Sequence, residues 1–297
     1  MELVLPPDPP SEVPAAWQDL LGSLPATGRL VVFGASDSGK TTLAWWLAEQ
    51  LRSGGRPSVT LVDADVGQSR IGPPTTVGWW QLGTDRSGFY FVGATSPDRR
   101  PAGMVKATLA ACRAGAGAGS DWVVLDTTGC VSGPVGPVLK SAKIRYLRPV
   151  HVVLLGELTE LESSLESWRD DPGVSFHRLA VAPAAKGKSV ATRKAWRESL
   201  FARWLSGANL RWVEKQDRDW LHAPAPELFA ADPGLAERLK GLLLGFCDGE
   251  GRGMCVGLLQ AIDWRAGRLL ILGPPQAEEA RVVDFGCLRL KPDGTQF

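Results

Sequence analysis

Along the first two-thirds of the chain, short continuous apolar runs alternate with longer stretches whose apolar residues recur at helical spacing. Leu30–Phe33, Ser58–Val62, Trp122–Leu125, Val150–Leu155 and Val174–Leu179 are the short runs, and they read as strands buried on both faces. Leu43–Leu51, Pro101–Arg113, Val138–Leu147 and Leu158–Trp168 carry the helical spacing, as amphipathic helices do. Such alternation predicts an α/β fold built on a doubly wound, mostly parallel sheet. Two more apolar segments, Val77–Leu82 and Phe89–Val92, follow the turn formers of Gly72–Thr76 and are expected as strands, and Gly115–Ser120 as a loop. Ahead of them, Met1–Thr27 reads as a lead-in whose Ala15–Leu24 helix packs Trp17, Leu20 and Leu21 inward.

Beyond Pro183 the pattern changes. From Lys186 to Arg211 the chain carries Lys186, Lys188, Arg193, Lys194, Arg197, Arg203 and Arg211 against the single acid Glu198, on a segment flexible at first and helical afterwards. An ordinary solvated face intersperses both signs, so this run reads as a lid that faces phosphate. Shorter β segments follow, at Arg211–Lys215, Met254–Asp263, Leu269–Leu272 and Val282–Leu290, with a helix expected over Leu235–Phe246. They predict a smaller C-terminal α+β unit.

The first buried run feeds the candidate chemistry. Gly34–Thr41 reads GASDSGKT and fits GxxxxGK[ST] between a strand and a helix, the context in which that pattern means a phosphate-binding P-loop. Glycines let backbone N–H groups point at phosphate oxygens beside a helix N-terminus. The cofactor-binding residues are therefore Gly34, Ala35, Ser36, Asp37, Ser38, Gly39, Lys40, Thr41 and Thr42, with Lys40 on the β- and γ-phosphates of ATP and the Thr41 hydroxyl on its Mg²⁺. Trp122–Leu125 followed by Asp126 is an apolar strand ending in an acid, a Walker-B pattern, and Asp126 is expected to hold Mg²⁺ through water. The acids Asp63 and Asp65 end the second strand, where open α/β sheets bind ligands, and Asp63 is a further metal candidate. The domains expected are a lead-in over 1–28, a P-loop domain over 29–206 that includes the basic segment 184–206, and the C-terminal unit over 207–297.

Composition narrows the partners. The net charge is +1, so any nucleic acid is held by local clusters, the lid and the acid-free run of Lys140, Lys143, Arg145 and Arg148. Five cysteines lie scattered without CxxC or His pairing, which argues against zinc and against a disulfide framework. No apolar run reaches the ~18 residues of a membrane span, and no targeting segment is visible, so a cytoplasmic protein is expected. Of twelve tryptophans, none is assigned a base-stacking role, and His151, His177 and His222 are read as structural.

Taken together, GASDSGKTT at 34–42, DADVGQS at 63–69, GPPTT at 72–76, DTTGCVSG at 126–133, LKSAKIRYLRP at 139–149 and the run ending ATRKAWRESLFARWLSG resemble the P-loop polynucleotide 5′-hydroxyl kinases. The resemblance spans the motifs from 29 to 207 and continues more weakly in LLLGFCDGEGRGMCVGLLQAID. It implies transfer of the γ-phosphate of ATP to the 5′-hydroxyl of single-stranded RNA, or of DNA. It also implies Asp65 as the base toward that hydroxyl, Lys188, Arg193 and Arg197 as lid cations on the transferring group, and Gln68, Thr127, Thr128 and Gly129 at the substrate. Two departures stand out. Cys130 occupies a position where eukaryotic members carry Trp, and their N-terminal β-domain is missing. Lys188 stands where the first lid arginine is expected, and lysine neutralises charge without clamping bidentately.

An ATP-binding scaffold of an RNA-processing complex, without turnover, is the alternative. The presence of Lys40, Thr41, Asp65, Asp126 and Arg193 together favours the enzyme. A GTPase would need an NKxD-type guanine reader, and the single asparagine, Asn209, is followed by Leu, Arg and Trp.

Overall fold

A computed structural model describes residues 4–55, 58–216, 218–232 and 234–297. In chain order, α1 is Ala15–Ser23, β1 Gly28–Gly34, α2 Lys40–Ser53, β2 Val59–Ala64, β3 Thr76–Gln81, β4 Ser87–Phe91, α3 Pro101–Gly117, β5 Trp122–Thr127, α4 Gly136–Leu147, β6 His151–Leu155, α5 Thr159–Leu165, β7 Ser175–Leu179 and α6 Val190–Trp204. Then follow β8 Asn209–Glu214, β9 Asp219–Leu221, α7 Pro226–Ala231, α8 Leu235–Leu239, β10 Leu242–Cys247, β11 Gly253–Asp263, β12 Arg268–Gly273 and β13 Val282–Arg289.

The first sheet has the order β4-β3-β2-β5-β1-β6-β7. Its strands from β2 to β7 run parallel, and β3 and β4 add an antiparallel edge. Alternate strand residues face two cores. Leu30, Val32, Leu61, Val124 and Val153 meet α1 and α2 on one side, while Val31, Phe33, Val62, Leu125 and Leu154 meet α3, α4 and α5 on the other. Because both faces are covered, the strands are apolar at nearly every position, which is why they were legible as continuous runs. The C-terminal ends of β1, β2 and β5 lie side by side and carry the P-loop, Asp63 and Asp126.

The second sheet has the order β8-β12-β11-β10-β13-β9 and is antiparallel except for β13 with β9. It is joined to the first domain by packing. Phe91 of β4 fits against Gly245, where any Cβ would clash with its ring, and Phe201 and Leu205 from the end of α6 share a core with Leu243, Val256 and Leu258.

Three expectations need correcting. The helix expected over Leu235–Phe246 stops at Leu239, and Leu242–Cys247 is the central strand β10. Gly241 at φ 81° breaks the chain direction between them, a conformation glycine adopts without cost. The expected loop Gly115–Ser120 is instead the last turn of α3 as far as Gly117. The run of Lys140, Lys143, Arg145 and Arg148 is no nucleic-acid surface: Lys140 and Lys143 are 0% and 1% exposed, and Arg145 and Arg148 lie at the end of α4 that leads into the start of β6, away from the P-loop edge.

Candidate functional site

Between β1 and α2 the loop passes through two left-handed residues, Asp37 at φ 61° and Gly39 at φ 87°. Left-handed residues set among right-handed ones turn successive N–H groups toward one side and make an anion-binding hollow. Lys40 opens α2, is 5% exposed, and folds back so that its Nζ donates to the Ala35 carbonyl at 2.6 Å. Gly129, after β5, approaches so closely that a Cβ there would stand 2.6 Å from the Ser36 nitrogen.

Asp63 and Asp126 face each other in the β2–β5 register, but they do different work. Asp63 accepts the backbone N–H groups of Asp65 at 2.9 Å, Arg70 at 2.6 Å and Ile71 at 3.3 Å. Its lone pairs hold the loop after β2, a different use from the metal role expected of it from sequence. Both oxygens of Asp126 are buried without a hydrogen-bond partner among the described residues. Burial raises both carboxyl pKa values, with the Asp126 charge adding to the rise at Asp63. The Lys40 charge pulls Asp126 the other way. Asp65 is half-buried, and its Oδ1 accepts the N–H groups of Gly67 at 3.1 Å and Gln68 at 3.3 Å, which fixes the carboxylate at the turn.

Two cavities meet at this turn. One, of about 210 Å³, is bounded by the P-loop, Lys186, Lys188 and Trp196. The other, of about 270 Å³, is bounded by Thr95, Ser96, Pro97, Thr128, Gly129, Cys130, Arg193 and Arg197. Ser36, Asp65 and Gln68 belong to both. The P-loop residues, Lys188, Asp65 and Gln68 are thus brought together as sequence reasoning expects, with Arg193 and Arg197 on the far side of Asp65. Thr127 is not. It is fully buried, its Oγ1 donates to the Val32 carbonyl at 2.7 Å and accepts from Lys140 Nζ at 2.8 Å, so it braces the turn and cannot reach a substrate. Thr128 and Gly129 do line the second cavity, and the Thr128 carbonyl is held by Lys140 Nζ at 2.6 Å.

The basic segment is anchored at both ends. Ser189 caps α6 through the Thr192 N–H, while Asp37 in the P-loop accepts from the Lys188 N–H at 3.1 Å and from Arg193 Nη1 at 2.9 Å. Arg197 keeps a buried Nε without a partner among the described residues, and burial lowers its pKa. The far end of α6 is buried through Leu200 and Phe201. The Asp37 contact, Lys140 and the Thr95–Pro97 wall were missed from sequence. Lys140 had a signal, since Lys140, Lys143, Ile144 and Leu147 form an i, i+3, i+4, i+7 stripe that a helix buries. His151 and His177, both read as structural, pair through Nδ1 and Nε2 at 2.9 Å.

No helix among the described residues is long and apolar enough to cross a membrane. The chain is similar over 96% of its length to the polyribonucleotide 5′-hydroxyl-kinase of Thermococcus kodakarensis, at 30% identity and covering 95% of that protein. It is similar at 27% identity to the enzymes of that name from Pyrococcus horikoshii, with 93% of this chain and 90% of the relative covered, and Methanocaldococcus jannaschii, with 91% and 89% covered. A solved Clp1p–Pcf11p complex contains a chain that superposes with a TM-score of 0.66 at 9% identity, covering 92% of this chain and 77% of that one, a likeness of fold. The family model described as the mRNA cleavage and polyadenylation factor CLP1 P-loop matches residues 34–207, more than half of the sequence, and the chain belongs to that nucleotide-binding family.

Proposed function

We propose that the protein is an ATP-dependent polynucleotide 5′-hydroxyl kinase, transferring the γ-phosphate of ATP to the 5′-hydroxyl of single-stranded RNA or DNA. The observation that carries this reading is the pair of cavities sharing Asp65. One has a phosphate-binding loop, and the other has room for an acceptor and two arginines. A carboxylate at their junction is placed to accept a proton from a hydroxyl that attacks a phosphoryl group held in the first cavity. Arg193 and Arg197 supply positive charge where charge spreads over the equatorial oxygens, the main contribution a protein makes to this reaction.

Thr41 and Asp126 fit a hydrated Mg²⁺, because the Asp126 oxygens are buried and unpartnered beside a helix-opening hydroxyl, and a carboxylate reached through water is a usual way to hold that ion. When bound, the ion neutralises charge on the phosphates. The direct test uses ATP labelled in the γ-phosphate with matched RNA and DNA oligonucleotides bearing either a 5′-hydroxyl or a 5′-phosphate. The expected result is label on 5′-hydroxyl strands alone. Label released only as inorganic phosphate, whatever the strand, would leave an ATPase or a scaffold.

A further inference from the structure

We propose that Arg70 is a phosphate-binding residue of the nucleotide cavity and favours the triphosphate over the diphosphate. This deepens the reading of that cavity as the ATP site and rests on it. Arg70 follows directly on the DADVGQS turn. Its Nη1 donates to the carbonyls of Leu5 and Pro6, each at 3.2 Å, its guanidinium lies 5.3 Å from the centre of the Trp196 ring, and its backbone N–H is held by Asp63. The lead-in and the helix α6 therefore fix the guanidinium from two sides, and Asp63 fixes the backbone that carries it. The freedom an arginine ordinarily loses on gripping a ligand is already lost here.

No ion pair neutralises Arg70, although the charges of Asp63, Asp126 and Asp8 act on it from farther off. Among the described residues no carboxylate forms an ion pair with its side chain, and Nε and Nη2 make no hydrogen bond. Carbonyls and an aromatic face orient a cation and leave its charge available. The guanidinium borders the same cavity as Lys40, Lys186 and Lys188, and a half-buried cation with unused donors in that company suits a polyanion. Its position selects the end of the nucleotide. Arg70 belongs to the loop that carries Asp65 and Gln68, the residues that open onto the second cavity. Arg70 itself borders only the first cavity, but its guanidinium lies against Trp196, which stands between Arg193 and Arg197 on the same helix, and this places it toward the terminal end of a bound triphosphate.

The competing role is a purely structural tie for the lead-in, and nucleotide selectivity separates the two. Equilibrium binding of Mg²⁺·ATP and Mg²⁺·ADP, without acceptor, is measured for the full chain, Arg70→Ala, Arg70→Gln and Lys40→Ala. The glutamine amide keeps N–H donors and carries no charge, though it is shorter than the guanidinium, so the melting of Arg70→Gln is compared with that of the wild type. Both Arg70 variants are expected to lose at least ~10-fold in ATP affinity and no more than ~3-fold in ADP affinity, the range of a charge-assisted phosphate contact. Lys40→Ala is expected to lose both nucleotides. An Arg70→Gln protein that melts like the wild type and binds ATP and ADP with unchanged ratio would overturn the proposal alone. A wild type that binds neither nucleotide would overturn the reading of the cavity and the proposal with it.

Discussion

Two buried lysines on one helix face show how differently the same residue type is used. Lys140 donates to Thr127 Oγ1 and the Thr128 carbonyl, whereas Lys143 Nζ is buried without a partner among the described residues and its pKa is pushed down to about 8 by burial. The folded state then binds fewer protons than the unfolded chain between that value and the ordinary 10.5, so stability present above 10.5 is lost as pH falls through about 8. Lys143→Met, which removes the unpaired ammonium at nearly constant volume, should stabilise the protein by ~1–3 kcal/mol near neutrality and by less in mild alkali, as read by denaturant titration at both pH values. Equal stability of variant and wild type at neutral pH would mean that Lys143 is solvated. At the lid, Arg193 borders the acceptor cavity while its guanidinium rests on Asp37. Arg193→Ala should lower turnover by at least ~10³-fold with ATP affinity nearly kept, as a charge acting on the transferring group would. A loss of only a few-fold would return the basic run to an ordinary solvated face.

At the scale of elements, α6 is one rigid piece gripped at both ends: Phe201 and Leu205 bury its C-terminal end, and Asp37 grips its approach. Motion is therefore expected in the short stretch around Gly187 and not within the helix. Asp37→Ala removes an ion pair and a backbone contact together, and should make trypsin cleave several-fold faster after Lys186 and Lys188, with the melting temperature little changed. Unaltered cleavage would show that the lid is held closed by α6 packing alone. Elements were legible in the sequence where burial on both faces made continuous apolar runs, as in β1, β5 and β6, and where a glycine loop joined strand to helix. Leu242–Cys247 was misread because LKGLLLGF is too uniformly apolar for its period to tell strand from helix, and the deciding fact is its central place in the second sheet. Positions were legible where a motif fixes them: Lys40 and Thr41 do open the helix after the glycine loop, and Asp126 does lie near the end of β5. The contact of Asp37 with Arg193 and that of Arg70 with Leu5 were not, because they join partners distant in sequence.

For the whole molecule, a net charge of +1 and the burial of Lys140 and Lys143 leave little basic surface near the site beyond the lid. Oligonucleotide affinity should consequently fall only gently with salt, with the slope of a few phosphate contacts, ~3 or fewer. A slope as steep as that of a protein neutralising many phosphates would require a surface other than the one described. The second sheet enters this picture as the support of the lid, since it receives the end of α6 and the edge strand β4.

Asp65 borders both cavities, and on the proposed reading it takes the acceptor's proton. The most direct measurement of that role is single-turnover transfer by Asp65→Asn beside equilibrium binding of Mg²⁺·ATP to the same variant. Asparagine preserves the shape and one carbonyl oxygen for the Gly67 and Gln68 N–H groups, so the loop is expected to stand. Transfer should fall by roughly 10²- to 10⁴-fold, the usual contribution of a positioned base, while ATP binds as before. Intact single-turnover transfer with weakened Mg²⁺·ATP binding would contradict the account and place Asp65 on the metal instead.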